Sequence, residues 1–226
     1  MANQIKTHVR TISLNLLFDF RNYRLRDRQG ELLTELLTCF PDAVEDTTFG
    51  GPQSVSIAMH GTSILHVFQS ALSVWEFGDE PSWDHAIGLL VSGSEVVRRT
   101  LSVETWTEGS INVELNASTA EGDLQERVSK SLCSGWLRSP LDSIDVAAAS
   151  LTAIELQLGE DLRSPTMKLQ VPTRAVDAFG SLSISLSHRT DNASIDAMLA
   201  LLTTAREACE VKLPAFLGAL VGEGES

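Results

Sequence analysis

The sequence predicts an α+β protein built on a mainly antiparallel sheet, and two patterns support this. Apolar and polar residues alternate over residues 12–20, which is the period of a half-buried strand. Apolar residues recur at helical spacing over residues 32–40 and again near the C-terminus. Strands and helices follow one another without the regular βαβ alternation of a parallel sheet, so an antiparallel arrangement is expected.

The first half of the chain gives clear boundaries. The opening strand runs into a polar loop over residues 21–30, and a helix follows that ends at Pro41. Three short apolar runs within residues 54–77 predict an antiparallel meander. Ser82 is a candidate N-cap for a helix over residues 83–99, in which Gly88 and Gly93 are unfavourable.

The second half continues the same mixture. Residues 100–106 and 111–117 are predicted to be two strands of a hairpin, and Asp123 is expected to cap a helix. Three more strands are expected within residues 151–187. No internal repeat is visible in the sequence. One continuous domain over residues 1–226 is predicted, with a subdomain boundary near 117–143 as the alternative.

The chain should close on its longest helix, over residues 193–221, which is amphipathic. Pro214 lies inside this helix and should kink or divide it. The predicted core stripe consists of Ile195, Met198, Leu199, Leu202, Cys209, Leu213, Phe216 and Leu220.

Composition and cysteine usage favour a cytoplasmic protein. The chain has 226 residues, 43% of them hydrophobic, and three widely spaced cysteines without a CxxC pair, which indicates a reducing compartment and not a disulfide framework. Cys39 and Cys209 fall on apolar helix faces, so a packing role is expected. No signal peptide is expected, because polar residues interrupt the N-terminal apolar residues. No membrane helix is expected, because no run of about 18 apolar residues occurs.

The charge is unevenly distributed along the chain. A net charge of −13 argues against nucleic acid and anionic lipid as partners. Six lysines and arginines lie within residues 1–28, whereas residues 29–97 contain none. The acidic residues of that second span are Glu31, Glu35, Asp42, Glu45, Asp46, Glu76, Asp79, Glu80, Asp84 and Glu95.

No catalytic, metal or cofactor motif is present in the sequence. It contains no phosphate-binding glycine loop, nucleophile elbow or HExxH helix. His60 and His66 lie on neighbouring predicted strands, but no cysteine or carboxylate stands beside them at ligand spacing. We therefore predict no cofactor and no catalytic residues, and the sequence leans away from an enzyme.

Two charged segments are candidate binding surfaces. The first is acidic and bracketed by tryptophans, a mixture found at protein interfaces, although a solvated loop and two core tryptophans would give the same pattern. Its residues are Trp75, Glu76, Asp79, Glu80, Trp83 and Asp84. The second is the basic cluster Arg21, Arg24, Arg26 and Arg28. Arginines suit carboxylate or phosphate, so this cluster is predicted to pair with the chain's own acidic segment or with a second copy, with an acidic protein or a nucleic acid as alternatives.

The order and spacing of several segments resemble a known group of proteins. These segments are LLTELLTCFPDA, SVSIAMHGTSILHVFQSALSVWEF followed by PSWDHAIGLL, and the closing ASIDAMLALLTTAREACEVKLPAFLGALV. Together they resemble a sporadically distributed bacterial family of uncharacterised α+β proteins. The resemblance implies the fold class and a bacterial or phage-linked origin, and it implies no activity or site residues.

The function predicted from the sequence is that of a non-enzymatic intracellular binding protein. Its acidic face would meet a basic protein partner, in a toxin-neutralising or defence-associated role, because acidic surfaces steer basic partners. The alternative is an enzyme or small-ligand sensor whose site lies between the sheet and the C-terminal helix. Buried, convergent polar side chains would favour that alternative.

Overall fold

A computed structural model describes residues 5–18, 24–46, 53–59, 62–68, 70–119, 124, 127–128, 153–157, 166–170, 182–191 and 194–221. The strands in these ranges are β1 (Lys6–Phe18), β2 (Ala43–Glu45), β3 (Val55–Met59), β4 (Ser63–Val67), β5 (Ala71–Phe77), β6 (Trp106–Ser118), β7 (Ala153–Gln157), β8 (Thr166–Gln170) and β9 (Leu182–Asp191). The helices are α1 (Arg24–Cys39), α2 (Trp83–Leu101), α3 (Ile195–Glu207) and α4 (Leu213–Leu220).

All described strands belong to one sheet in the order β2-β3-β4-β5-β1-β6-β9-β8-β7. Every neighbouring pair is antiparallel. The two longest strands, β1 and β6, pair at the centre over most of their length. The α+β class and the mainly antiparallel sheet predicted from the sequence are therefore confirmed.

The topology contains an internal repeat that the sequence does not reveal. Moving outward from the centre, one side of the sheet has the order β1, β5, β4, β3, followed by the additional edge strand β2, and the other side has β6, β9, β8, β7. In each half the central strand comes first in the chain, the three outer strands follow later, and a long helix comes next, α2 in one half and α3 in the other. The two halves thus share the same order of strands outward from the central β1–β6 pair.

The core lies between one face of the sheet and the helices. Ile12, Leu14 and Leu16 alternate along β1 and are completely buried, as the period of two requires. Helices α1 and α2 pack over the β3–β5 side, and α3 packs over β6 and β9. These contacts with the sheet fix the position of each helix.

Helix α2 lies unusually close to the sheet. Ser82 caps it by accepting a hydrogen bond from the His85 N–H at 3.2 Å, as predicted from the sequence. Gly93 faces β4 so closely that a Cβ there would come within 2.4 Å of the Leu65 Cδ1. This glycine, unfavourable for a helix by propensity, lets α2 approach β4 without displacing the Leu65 side chain.

Two local predictions are wrong. The predicted hairpin around Gly109 does not form, because β6 is continuous from Trp106 to Ser118 and the preceding Thr100 and Leu101 still belong to α2. The predicted polar loop over residues 21–30 is helical from Arg24, with non-helical backbone angles at Arg28. Beyond β6, Leu124 and Val128 of the helix predicted after Asp123 are buried and Arg127 is half-buried, and the other residues of that helix lie outside the described ranges.

The C-terminal helix is divided near Pro214, as predicted, by a π-helical turn at Ala208–Lys212. A π turn holds one more residue than an α turn, so it shifts the buried stripe by one position. Leu217 is completely buried, whereas Phe216, predicted to be in the core, is 37% exposed.

The two described cysteines also differ. Cys39 is exposed, which contradicts its predicted packing role. Cys209 is buried, as predicted, and burial, with a smaller contribution from Glu210, raises the pKa of its thiol to about 12. Cys133 lies outside the described residues.

Candidate functional site

The acidic segment forms the connection between β5 and α2. Trp75 and Glu76 lie at the end of β5, and Trp83 and Asp84 begin α2. The chain turns at Gly78, whose φ of +130° is open to glycine and not to residues with a Cβ. Asp79 and Glu80 follow in the exposed turn.

The six predicted interface residues separate into two groups. Glu76 is 4% exposed and Trp83 is 7% exposed, so both are part of the folded interior. Trp75 is half-buried on the opposite face of the sheet from Glu76, because successive strand residues alternate. Only Asp79, Glu80 and Asp84 are exposed. We call these three residues the acidic end of the molecule.

Glu76 holds the N-terminus of α2 against the sheet. Its carboxylate Oε2 lies 3.0 Å from the Nδ1 of His85, and the Ser63 Oγ lies 3.3 Å from the same nitrogen. Ser63 and Glu76 are register partners on β4 and β5. The sequence could not show this cluster, because only the strand register brings residues 63, 76 and 85 together.

The Ser63, His85 and Glu76 cluster lacks the geometry of a catalytic triad. In a triad the serine contacts one imidazole nitrogen and the carboxylate the other, whereas here both lie beside Nδ1. Ser63 is also completely buried, so no substrate can reach its hydroxyl in this conformation. The arrangement fastens a helix to a sheet and offers no nucleophile.

The predicted basic cluster lies at the opposite end of α2. Arg24 reaches the Leu101 carbonyl at 3.5 Å, and Arg28 donates to the Thr100 carbonyl and pairs with Glu31 at 2.9 Å. Arg26 pairs with its neighbour Asp27, and Arg21 lies outside the described residues. The α1 arginines therefore complete the C-terminal turn of α2, where cations are favoured by the helix dipole.

This placement contradicts pairing of the described arginines with the acidic segment of the same chain. The 19 residues of α2 separate its two ends by about 27 Å at 1.5 Å per residue, well beyond the reach of an arginine side chain. The cation that the structure does place at the acidic end is Arg206 of α3, 3.5 Å from Asp84. Among the described residues, Asp79 and Glu80 form no ion pair.

A row of polar side chains crosses the sheet face opposite to the helices. In register from β3 to β6 it consists of Ser56, His66, Ser73, Asn15 and Ser110. Ser73 donates to the Asn15 Oδ1 at 2.6 Å, and the Asn15 Nδ2 donates to the Ser110 Oγ at 3.3 Å. The alternation of polar residues in the strands was a visible signal, but the strand order that aligns them was not.

His66 is the titratable member of this row, and its surroundings shift its pKa. It is stacked against Phe68 at 3.7 Å between ring centroids, and the edge of Trp75 lies 6.3 Å away. Burial lowers the pKa of His66, and the Asp46 carboxylate partly opposes this shift. Burial therefore favours the neutral form of this imidazole. His60, which was predicted to lie beside it, is outside the described residues.

Within the described ranges, no group of three or more His, Cys, Asp or Glu residues is arranged to hold a metal ion. The side chains of α3 that are buried toward the sheet, Met198, Leu202 and Ala205, are apolar. No helix among the described residues is long and apolar enough to cross a membrane.

Comparison of the chain with protein-family models and with curated protein sequences found no match.

Proposed function

We propose that this chain is a non-enzymatic binding protein whose acidic end, Asp79, Glu80 and Asp84, contacts a basic protein partner. The observation that carries the proposal is the separation of charge along α2. Arg24 and Arg28 bind carbonyl groups at the far end of this helix, and Arg206 pairs with one of the three acids, Asp84. The acidic end thus keeps a local negative charge that can attract and orient a cationic surface.

The proposed surface is smaller than the one predicted from the sequence. Glu76 and Trp83 serve the fold, since both are buried at the junction of β5 and α2. Trp75 lies on the other sheet face and so does not extend the same surface. The contact is therefore mainly electrostatic, which suits fast and salt-sensitive association.

The cellular location and the biological role predicted from the sequence are part of the proposed function. A cytoplasmic location and a toxin-neutralising or defence-associated role are consistent with an acidic protein that covers a cationic surface. The absence of a usable nucleophile in the Ser63, His85 and Glu76 cluster supports binding over catalysis at this position.

Two variants with equal charge change test the proposal. Asp79→Lys with Glu80→Lys reverses the acidic end, and Glu104→Lys with Glu114→Lys reverses two exposed acids elsewhere. Binding of a fluorescent oligoarginine peptide is measured by anisotropy at low and physiological salt. The acidic-end variant should weaken binding about tenfold more than the control, which corresponds to about 1.4 kcal/mol. Equal weakening would show that only net charge matters, and the proposal would fail.

A small-ligand sensor is the second candidate, and one observation favours it. Ser56 is only 2% exposed, and its Oγ has no hydrogen-bond partner among the described residues, which is rare for a buried hydroxyl. The candidate site would lie on the polar row and not between the sheet and α3. Thermal-shift screening of small metabolites against the chain and a Ser56→Ala variant tests it. A ligand that stabilises only the unsubstituted chain would support this reading, and identical shifts would exclude Ser56 from it.

A further inference from the structure

The C-terminal end of α2 carries a surface of arginines larger than the sequence cluster suggested. Arg98 and Arg99 in the last turn of α2 join Arg24 and Arg26 of α1 at the same end of the molecule. All four are exposed, and Arg99 reaches across to Glu35 on α1 at 2.5 Å. We call Arg24, Arg26, Arg98 and Arg99 the arginine end.

The arginine end and the acidic end lie at opposite ends of one helix. Asp84 and Arg98 are 14 residues apart on α2, about 21 Å along its axis, so neither end can neutralise the other within one chain. Two copies placed head to tail would bring the arginines of one against Asp79, Glu80 and Asp84 of the next. Guanidinium groups bind carboxylates through paired hydrogen bonds, so these two surfaces are chemically complementary.

We propose that the arginine end is an interaction surface for a second copy of this chain, which docks with its acidic end. This inference rests on the proposed function, because it names the partner of the acidic end. The contact is heterologous and leaves one surface free on each terminal copy, so it continues into a ring or an open chain. The net charge of −13 opposes association, but at physiological ionic strength this repulsion is screened beyond about 8 Å, whereas direct pairs are not.

Charge exchange between two variants of the full chain tests this proposal. One variant reverses the acidic end with Asp79→Lys and Glu80→Lys. The other reverses the arginine end with Arg26→Glu and Arg98→Glu. In the second variant, the new acid in the first turn of α1 is favoured by the helix dipole and that in the last turn of α2 is disfavoured, so the effects on folding should nearly cancel. Circular dichroism verifies that both variants are folded.

Sedimentation velocity over a concentration series is the measurement. The unsubstituted chain should associate as its concentration rises, and each variant alone should associate at least about tenfold more weakly. An equal mixture of the two variants should associate again, because every contact in the mixture joins opposite charges. A monomeric unsubstituted chain, a variant that associates like it, or a mixture that stays monomeric would each overturn the proposal.

The oligoarginine peptide separates this inference from the proposed function. If only self-association fails, the acidic-end variant will still bind the peptide more weakly than its charge-matched control, and the arginine-end variant will bind it at least as well as the unsubstituted chain. If the acidic-end variant and that control bind the peptide equally, the proposed function itself is wrong.

Discussion

At the C-terminal end of α2, the last carbonyl groups receive the guanidinium groups of Arg24 and Arg28. At the N-terminal end, the buried Glu76 is paired with His85, whereas Asp79 and Glu80 extend from the turn without an ion pair among the described residues. The helix dipole favours both arrangements, because negative charges lie near the N-terminus of α2 and positive charges near its C-terminus. Arg24 and Arg28 thus complete the fold at one end of α2, whereas Asp79 and Glu80 at the other end exceed what the fold requires.

The largest expected loss of unfolding free energy comes from a substitution in the hydrophobic core. The smaller losses expected at the two ends of α2 can be compared with it. Leu202→Ala should lower the free energy of unfolding by about 2–5 kcal/mol, because this side chain is buried beneath α3. Phe216→Ala should cost less than about 1 kcal/mol, since the ring lies beyond the π turn and is partly exposed. Urea denaturation measures both. Equal losses of unfolding free energy for the two variants would show that the π turn does not shift the buried stripe of the C-terminal helix.

Gly93 and Gly88 test how α2 is held between its two ends. Gly93→Ala should destabilise the protein by about 1–3 kcal/mol, because the new methyl group would overlap Leu65. Gly88→Ala is its matched control on the same helix, with open space around it, and should stabilise by about 0.5–1 kcal/mol. Thermal and urea unfolding measure the difference. If both variants behave alike, the close approach of α2 to β4 is not real.

Removal of the α2 N-cap perturbs the acidic end and leaves its three carboxylates unchanged. Ser82→Ala removes the acceptor of the His85 N–H and should cost about 1 kcal/mol. Ser194→Ala, at the start of α3, removes the equivalent bond to Ala197 and is expected to cost a similar amount. A much larger loss for Ser82→Ala would mean that the Ser63, His85 and Glu76 cluster depends on this cap.

A smaller effect is expected for the α1 arginines beside the C-terminal end of α2. Arg28→Met keeps the apolar stem but removes the donor to Thr100, and should cost about 0.5–1 kcal/mol because the site is partly exposed. Arg26→Met, whose side chain pairs only with the adjacent exposed Asp27, should change stability by less than about 0.5 kcal/mol. Urea denaturation of the two variants compares them, and equal costs would remove the role of Arg28 as a helix cap.

Much of the fold could be predicted from local patterns, because β1 alternates, the meander consists of short apolar runs, and Ser82 and Pro214 mark helix boundaries. The hairpin around Gly109 was mispredicted, because a buried glycine inside a central strand looks like a turn signal when the pairing of β1 with β6 is unknown. Phe216 was misplaced, because a uniform helical period cannot anticipate the π turn.

The candidate site was predicted less completely, for a similar reason. Proximity in sequence grouped Glu76 and Trp83 with Asp79 and Glu80, although the first two are buried. It also separated Arg98 and Arg99 from the α1 arginines, although the fold places them at the same end of the molecule. Which charges are neighbours depends on packing of α1 against α2, and a local pattern does not contain that information.

The association rate of the oligoarginine peptide tests the central claim most directly. Stopped-flow fluorescence would compare the unsubstituted chain, Asp79→Lys with Glu80→Lys, and the Glu104→Lys with Glu114→Lys control over a series of salt concentrations. We expect the acidic-end variant to bind slowest, with the flattest salt dependence, while its free energy of unfolding changes by less than about 0.5 kcal/mol. The same rate and salt dependence for the acidic-end and control variants would contradict the account, since the acidic end would then be no more than solvated surface.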